Sequence, residues 1–574
     1  MDNPSGRRRS TAMRRTISQA ATPGTNDLER LATAFSQAAA ELVPGEAPPA
    51  TVFEAPRNPE FGDFASSVAL QLAKRARRAP QQLASALIER AFAGDPSLRA
   101  VASEVTAVGG FINIRLSPAY WQNVVATVLR DGASFGRGAR TGERVSLEFG
   151  SANPTGPLLV VQGRSLSLGD SIANAMRFAG SDVTTEWIVN DAGSQMDTLG
   201  RSIYARYRQL GDPAYPFPEE GYPAAYLLPL AAELRARHGD RYDAAPEGEY
   251  LPLFTMYGRD RLVAGQQRTA ERFRVSNERW QSEKELHASG AVTASIAALT
   301  ERGHTFERDG AVWMRTTAFG DDKDRVLVRG DGRPTYYAPD VAYHYDKLER
   351  NDRAIAILGP DHHGYIARLA TIAAAFGKPG TIEVVIAQQM TIVRDGEIVN
   401  SSKRSGEVLL LDDVINEVGV DAARFFFVMT SPDSPMTFDL TLAKEQTSDN
   451  PVFYVQYGHA RIASLVAKAP AELVARARAG RSLERLTEPA ELALARRLAE
   501  FPAAVRSVAE HRAPHRLARY AQRVANDFSQ FYVACKVLGD DADLSAGRLG
   551  LSLATQSVLA QTLRLLGVSA PASM

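Results

Sequence analysis

Acidic, amide and phenolic side chains of this 574-residue chain follow two apolar runs that predict strands. Glu148 closes the first run and Asn153 lies in the turn after it, whereas Tyr336 and Asp340 follow the second run. Carboxylate, amide and phenol oxygens suit a planar guanidinium, because paired charge-assisted hydrogen bonds match its donors. These residues are candidates for binding such a cation, and the alternative is that the carboxylates are helix caps or surface groups.

The turn after Glu148 leads directly into a long apolar helix. It is rich in proline and glycine, with Pro154, Gly156 and Pro157. A helix N-terminus presents unpaired N–H groups and the positive end of the helix dipole, and both favour an anionic phosphate. The strand, the turn and the helix therefore predict a nucleotide site.

Two further segments carry imidazole or positive charge at turns. Asp361 precedes the pair His362 and His363 at the end of a third predicted strand, and Lys403 and Arg404 lie in a Ser-rich loop. A zinc site would need a further ligand at suitable spacing, so we expect no metal site and interpret the histidines as binding residues. The basic loop could neutralise charge on phosphates during a reaction, and the alternative is a solvated basic turn.

The pattern of apolar residues places these candidates in a chain of several domains. It predicts an α+β module over residues 26–120, a parallel-sheet domain over residues 138–445 and a helical bundle over residues 446–574. Strands are expected at residues 145–149, 184–190, 325–329, 354–358 and 382–387, with a helix over 162–178 and an insertion over about 205–300. In such sheets ligands bind beyond the carboxyl ends of the strands.

Composition narrows the classes of function. Lys plus Arg and Asp plus Glu each total 66, so binding of nucleic acid would need a local basic face. The single cysteine, Cys535, excludes an intramolecular disulfide, and its apolar surroundings predict a core residue. No apolar run reaches the roughly 18 residues of a membrane span.

Residues 1–25 differ from the rest of the chain, since they contain five arginines and only one acidic residue. This composition predicts a disordered basic tail. The alternatives are an organelle transit peptide and a start codon placed too early.

The motifs resemble those of arginyl-tRNA synthetases over nearly the whole chain after the tail. The likeness is carried by residues 147–164, 335–340, 358–365, 400–406, 419–427, 431–434 and 450–462. It implies a multidomain α/β protein with a Rossmann-like parallel-sheet catalytic domain. A small α+β N-terminal domain would bind the tRNA elbow, and an all-α C-terminal bundle would bind the anticodon.

The resemblance also implies an arginine–tRNA ligase that uses ATP and Mg²⁺, with tRNA(Arg) and L-arginine as partners. Most members of the family act alone, and no exposed apolar stripe is predicted. We therefore expect a cytoplasmic monomer without membrane association.

Roles follow for the residues at matching positions. The implied arginine-binding residues are Glu148, Ser151, Asn153, Tyr336, Asp340 and Asp361. The implied ATP-binding residues are Pro154, Gly156, Leu159, Val161, Gln162, Gly163, His362, His363, Gln389, Met390 and Lys403. The implied catalytic residues are Lys403, Arg404 and Gln162, and the implied tRNA-binding residues are Phe111, Asn113, Tyr454, Gln456, Tyr457 and His459.

One segment departs from the family. Residues 159–162 read Leu-Val-Val-Gln, where the family has His-x-Gly-His and the imidazoles stabilise the transition state of adenylate formation. Leu159 offers no donor, Gln162 offers a neutral donor, and Val161 would occupy part of the adenine seat. Loss of one preorganised donor costs about 3–4 kcal/mol of transition-state stabilisation, which Arg164 could partly offset. The alternative function is a catalytically impaired or silent paralogue that binds tRNA or arginine without charging.

Overall fold

The computed structural model describes residues 25–43, 45, 51–56, 58–362, 364–399 and 409–574. The predicted basic tail lies outside the described residues, except for Thr25, with which the first helix begins. The N-terminal elements are α1 (Thr25–Leu42), β1 (Phe64–Ser66), α2 (Val68–Ala76), α3 (Pro80–Gly94), β2 (Ala102–Val108) and β3 (Phe111–Leu116).

These elements form a three-stranded antiparallel sheet, in the order β1-β3-β2, that is covered by helices. Phe35, Leu83 and Ile112 are fully buried between the sheet and the helices. The apolar stripes of the helices and the alternation of β3 therefore meet in one core. The predicted α+β arrangement is confirmed.

The central part of the chain begins after α4 (Pro118–Asp131). Its first twelve elements are β4 (Arg144–Glu148), α5 (Val160–Ala179), β5 (Asp182–Val189), α6 (Ser194–Gln209), α7 (Leu227–His238), α8 (Glu247–Arg272), β6 (Arg279–Ser282), α9 (Glu283–Ala288), α10 (Ala291–Glu301), β7 (Thr305–Arg308), β8 (Ala311–Met314) and β9 (Arg325–Val328). It continues with α11 (Tyr337–Arg350), β10 (Arg353–Leu358), α12 (Tyr365–Ala375), β11 (Ile382–Ile386), β12 (Met390–Arg394), β13 (Glu397–Ile398), α13 (Leu411–Val418), α14 (Val420–Met429), β14 (Met436–Asp439) and α15 (Leu440–Lys444).

Five of these strands form the central parallel sheet, in the order β11-β10-β4-β5-β6. The inner strands β4 and β10 are buried along almost their whole length, as expected for a sheet with helices on both faces. From β4 the chain moves outward to β5 and β6, and it returns later to β10 on the other side of β4. The switch in strand order therefore lies between β4 and β10, where ligands bind in such sheets.

The prediction that residues 325–329 form a strand of this sheet is wrong. Strand β9 pairs with β8 in a separate antiparallel sheet, β7-β8-β9. The fifth strand of the central sheet is β6, which lies within the predicted insertion and stacks Trp280 on Trp187 at 4.4 Å between ring centroids. Because β6 is an edge strand of four residues, its polar sequence carries no strong apolar pattern.

The C-terminal part is a bundle of six helices: α16 (Pro451–Lys468), α17 (Ala471–Arg478), α18 (Pro489–Ala499), α19 (Phe501–His511), α20 (His515–Ala534) and α21 (Ala542–Leu565). New helices begin at Pro470, Pro489 and Pro514, as predicted. Cys535 is buried at the end of α20, which confirms its assignment to the core. In the described part of the chain no helix is long and apolar enough to cross a membrane.

Candidate active site

The turn after β4 lies at the carboxyl end of the central sheet. Ala152 forms a parallel bridge with Val189, and the Asn190 amide donates a hydrogen bond to Asn153 Oδ1 at 3.1 Å. Ser151 and Asn153 are both exposed. The structure therefore places these two predicted arginine-binding residues in a solvent-exposed turn at the carboxyl end of the sheet.

Glu148 is a buried carboxylate that is already paired with a cation of the chain. Its side chain is buried and forms an ion pair with Lys347, whose ammonium lies 3.9 Å from the centroid of the Tyr343 ring. Burial is the largest effect and opposes ionisation of Glu148, but the Lys347 ammonium acts together with His344 and Tyr343 to hold the pKa below its usual value. Sequence reasoning missed Lys347, although it lies seven residues after Asp340 and hence on the same face of α11.

Asp340 differs from Glu148 in that its side chain is bonded to a neutral group. Its Oδ2 accepts a hydrogen bond from the Tyr365 hydroxyl at 3.0 Å. Burial raises the pKa of Asp340 to about 7; the negative charges of Glu283 and Glu148 add to this effect, and the Tyr365 bond partly offsets it. We call Asp340, Glu283 and Glu148 the acidic cluster; Lys347 pairs with Glu148, and the positive charge of Arg368 opposes the rise in the pKa of Asp340. A bound cation would favour the ionised form of Asp340.

The remaining predicted arginine-binding residues, Tyr336 and Asp361, are exposed. Tyr336 is 77% exposed, one helical turn before Asp340. Asp361 is exposed in the turn after β10, beside the exposed His362. His363, Lys403 and Arg404 lie outside the described residues.

The N-terminus of α5 has fewer unpaired N–H groups than the sequence led us to expect. The Leu159 N–H donates to Gln162 Oε1 at 2.7 Å, and the Val160 N–H donates to the Leu409 carbonyl at 3.1 Å. The Leu411 N–H in turn donates to the Leu158 carbonyl at 2.9 Å, so the two segments form an isolated antiparallel bridge at Leu159 and Leu410. The helix dipole remains available to a phosphate, whereas the N–H groups of Leu159 and Val160 are already bonded within the chain.

The altered residues 159–162 differ in exposure. Val161 is 48% exposed on the first turn of α5, and Leu159 and Gln162 are half-buried. The Gln162 side chain uses its oxygen as a helix cap, which leaves Nε2 as its donor. The branched Val161 side chain therefore projects from the surface where the resemblance places adenine.

Two predicted ATP-binding residues are buried by packing. A Cβ on Gly163 would lie 2.7 Å from Leu411 Cδ1 and 2.9 Å from Phe427 Cε2, so this glycine allows α5 to pack against α13 and α14. Pro154 is buried within the turn. The assignment of Gly163 to a nucleotide contact is corrected, because its open face is filled by the chain itself. Gln389 is exposed and Met390 is half-buried where β12 begins.

Arg164 cannot replace the lost imidazoles, which corrects that expectation. Its guanidinium is buried and donates to the carbonyls of Gln388, Gln389, Ser431 and Ser434. Burial lowers the pKa of Arg164 to about 10. The charge therefore serves to hold α5 against the two segments that precede β12 and β14.

Half of the predicted tRNA-binding residues are accessible. Phe111 is 45% exposed on β3, and Tyr457 is 41% exposed on α16. Tyr454 and Tyr457 line a cavity of about 230 Å³ between α16 and α20. The Arg461 guanidinium lies over the Tyr457 ring at 4.6 Å and donates to its hydroxyl at 2.7 Å.

The other half, Asn113, Gln456 and His459, is buried. Gln456 Nε2 donates to Asp421 at 2.9 Å and to the Ser569 carbonyl at 3.0 Å, and His459 Nδ1 lies 2.8 Å from the Pro571 carbonyl. The expectation that these side chains contact RNA is therefore corrected: Gln456 and His459 hold the C-terminal segment, and Asn113 lies inside the N-terminal module. In the part of the chain described here, no group of three or more His, Cys, Asp or Glu could hold a metal ion.

Comparison with known proteins gives matches at both ends of the chain. Residues 29–116 match the arginyl tRNA synthetase N terminal domain, and residues 455–574 match the DALR anticodon binding domain. Among solved structures, a putative arginyl tRNA synthetase from Campylobacter jejuni superposes with a TM-score of 0.74 at 30% identity, covering 80% of this chain and all of that one. The Thermus thermophilus arginyl-tRNA synthetase covers 95% of this chain and all of its own, with a TM-score of 0.73 at 23% identity, and shows the same fold.

Curated relatives match the chain at higher identity and also over most of its length. The arginine–tRNA ligase of Frankia alni is 45% identical over 92% of this chain and 95% of its own length. That of Syntrophotalea carbinolica is 43% identical over 91% of this chain and 94% of its own. Likeness at this level and over this length shows that the chain belongs to the arginyl-tRNA synthetase family.

Proposed function

We propose that this protein attaches L-arginine to tRNA(Arg) in an ATP-dependent reaction. The observation that carries the proposal is the acidic cluster of Asp340, Glu283 and Glu148, in which Glu148 ends β4 at the switch in strand order. A guanidinium would pair with Asp340 and offset the repulsion that Glu283 exerts on its ionised form, whereas Glu148 is already paired with Lys347. The name arginine–tRNA ligase, which the curated relatives share, supports the same reaction.

The reaction would proceed in two displacements at the end of α5. An oxygen of the arginine carboxylate attacks the α-phosphorus of ATP, and the bond to pyrophosphate breaks to leave arginyl-adenylate. The 2′-hydroxyl of the terminal adenosine of tRNA then attacks the acyl carbon, loses its proton and releases AMP. Lys403, Arg404 and Gln162 would stabilise the charge on the departing phosphates. Bound Mg²⁺ would neutralise phosphate charge and be held mainly by the phosphates themselves.

The tRNA would contact both ends of the protein. Tyr454 and Tyr457 could stack unpaired anticodon bases in their cavity. Phe111 is the exposed aromatic residue of β3 and is suited to a base of the tRNA elbow. We propose that the protein does this as a monomer in the cytoplasm.

The direct test is arginine-dependent charging of tRNA(Arg) by the purified full-length protein. Formation of arginyl-tRNA that requires ATP supports the proposal. Tight binding of tRNA(Arg) without any charging, under conditions in which another member of the family is active, would instead identify a silent paralogue. The curated relatives favour the first outcome.

Arginine binding should depend on pH through Asp340. Below a pH of about 7 this carboxyl is mostly protonated and cannot pair with the guanidinium, whereas above that pH it is ionised. We therefore expect the KM for arginine to fall roughly tenfold as the pH rises through this range, as suits one charged hydrogen bond. Steady-state charging measured across the range would check the effect.

Two variants make the test of Asp340 specific. In Asp340→Asn the pH dependence of the arginine KM should disappear. In Glu283→Gln it should move to lower pH, because a negative charge that raises the pKa of Asp340 is removed. A steep dependence that survives in Asp340→Asn would assign the titration to another group.

Anticodon binding should depend on the ring of Tyr457. We expect Tyr457→Ala to weaken tRNA(Arg) binding about tenfold, since stacking of one base on an aromatic ring contributes roughly 1–3 kcal/mol. Tyr457→Phe keeps the ring and loses only the bond from Arg461, so its affinity should stay close to that of the unsubstituted protein. Equal affinities of the alanine variant and the unsubstituted protein in filter binding would rule out this stacking role.

A further inference from the structure

Two side chains of the insertion donate hydrogen bonds to backbone carbonyls of the turn between β4 and α5. The Tyr226 hydroxyl, just before α7, donates to the Thr155 carbonyl. Gln266 on α8 donates from Nε2 to the Asn153 carbonyl at 3.1 Å and to the Gly156 carbonyl at 2.8 Å. Three carbonyls of the turn are therefore bound by two side chains that lie 71 to 113 residues away along the chain.

Gln266 is placed for these bonds more than for packing. Its side chain is 1% exposed, and within the described residues its Oε1 accepts no hydrogen bond. An unpaired buried oxygen lowers stability, so an apolar residue would serve packing alone better. The helix that carries Gln266 is itself anchored, because Thr269 Oγ1 donates to Asp412 at 2.6 Å. The helix α8, which holds the turn through Gln266, is thus itself bonded to α13.

The direction of these carbonyls matters to an anionic ligand. Carbonyl oxygens carry partial negative charge and would repel a triphosphate if they faced it. The turn has few donors with which to compensate, because Pro154 and Pro157 have no N–H group. Binding three carbonyls on the insertion side turns their negative ends away from the opposite side of the turn.

We propose that Tyr226 and Gln266 are positioning residues, which hold the turn at residues 153–156 with its carbonyls directed away from ATP. This inference rests on the proposed function. Tyr226 acts on Thr155 alone, next to the predicted ATP contact Gly156. Gln266 also holds Asn153, a predicted arginine contact, and so acts on both sites.

The two variants Tyr226→Phe and Gln266→Met should therefore differ in their effects. Tyr226→Phe should weaken binding of a non-hydrolysable ATP analogue about tenfold and leave arginine binding unchanged. Gln266→Met should weaken both about tenfold, since it leaves two carbonyls unheld. Calorimetric titration of each ligand measures these affinities, and steady-state charging should show the same split between the KM values for ATP and arginine.

Matched controls separate positioning from a general loss of stability. Tyr257→Phe removes a hydroxyl that bonds to Glu233, and Gln209→Met removes an amide that donates to the Tyr215 carbonyl at 2.9 Å, both within the insertion. The controls should lower the unfolding temperature about as much as the test variants and leave ATP and arginine affinity unchanged. Binding of tRNA(Arg) should be the same in all four variants.

Each outcome bears on the proposal. Normal ATP affinity in both test variants, or equal losses in the controls, would overturn the positioning role and leave the proposed function intact. If the unsubstituted protein bound neither ATP nor arginine, the proposed function would fail together with this inference. The expected split between the two ligands would support it.

Discussion

The triple variant Leu159→His, Val161→Gly, Gln162→His should form arginyl-adenylate at least a hundredfold faster than the unsubstituted protein. Each preorganised donor directed at developing phosphate charge contributes about 10²–10³ to the rate. The variant regains two such donors on the first turn of α5, where Val161 is 48% exposed. Replacing Val161 by glycine also removes the branched side chain from the predicted adenine seat.

The substitutions carry a local cost that limits the gain. Gln162 caps the Leu159 N–H, and histidine at residue 162 would lose this bond, which is a change of about 1 kcal/mol. Glycine on an exposed helical turn costs about as much again. Both losses are small beside the expected change in barrier, and the dipole of α5 remains.

Pyrophosphate exchange that requires arginine, measured with tRNA(Arg) present, would determine the rates. The variant Leu159→Gln is the matched control: it adds a neutral donor in place of an imidazole and should recover only part of the gain. Equal rates in the triple variant and the unsubstituted protein would mean that residues 159–162 do not limit catalysis. The residues of this chain would then stabilise the transition state from elsewhere, with the basic loop at 400–406 as the next candidate.

Arg424→Met should lower the free energy of unfolding by about 3–5 kcal/mol, the usual cost of removing one partner of a buried ion pair. Arg424 is fully buried and pairs with Asp170 on α5. It also donates to the carbonyls of Phe273 at 3.0 Å, Arg274 at 3.1 Å and Leu566 at 3.1 Å. One guanidinium thus joins α5, the end of the insertion and the C-terminal segment.

Urea unfolding followed by tryptophan fluorescence would measure this loss. The control Arg90→Met removes an ion pair with Glu41 in which both side chains are half exposed, and such pairs contribute at most about 1 kcal/mol. A shift no larger than that of the control would mean that water or a rearranged side chain satisfies the freed carbonyls. Gly567 belongs to the same junction, because it has a φ of 69° and a Cβ there would lie 2.0 Å from Arg424 Nη2.

Much of the central fold could be predicted from the sequence because its signals are local. The strand–helix–strand unit around α5, the strands β10 and β11 and the helix that begins at Tyr365 were all predicted and are confirmed. So are the proline breaks in the C-terminal bundle. Runs of apolar residues and fixed proline φ angles act over a few residues, so they survive without knowledge of the fold.

The partners of each element could not be predicted in the same way. Strands β6 and β9 are both four residues long, and their sequences do not reveal that β6 joins the central sheet while β9 joins another. A short strand specifies its own conformation, whereas its neighbour is determined by which edge the folded chain presents.

By itself, the sequence determined the family motifs, the acidic residues Glu148 and Asp340, and the loss of imidazole at residues 159 and 162. Only the tertiary structure decided which of these groups are free. In the folded protein Glu148 forms an ion pair with Lys347, and the Arg164 guanidinium is hydrogen-bonded to four carbonyls. Gln456 and His459 are bonded to the C-terminal segment. The reason is physical: a residue type specifies what a side chain can bind, but burial and neighbours distant in the chain decide what it has already bound.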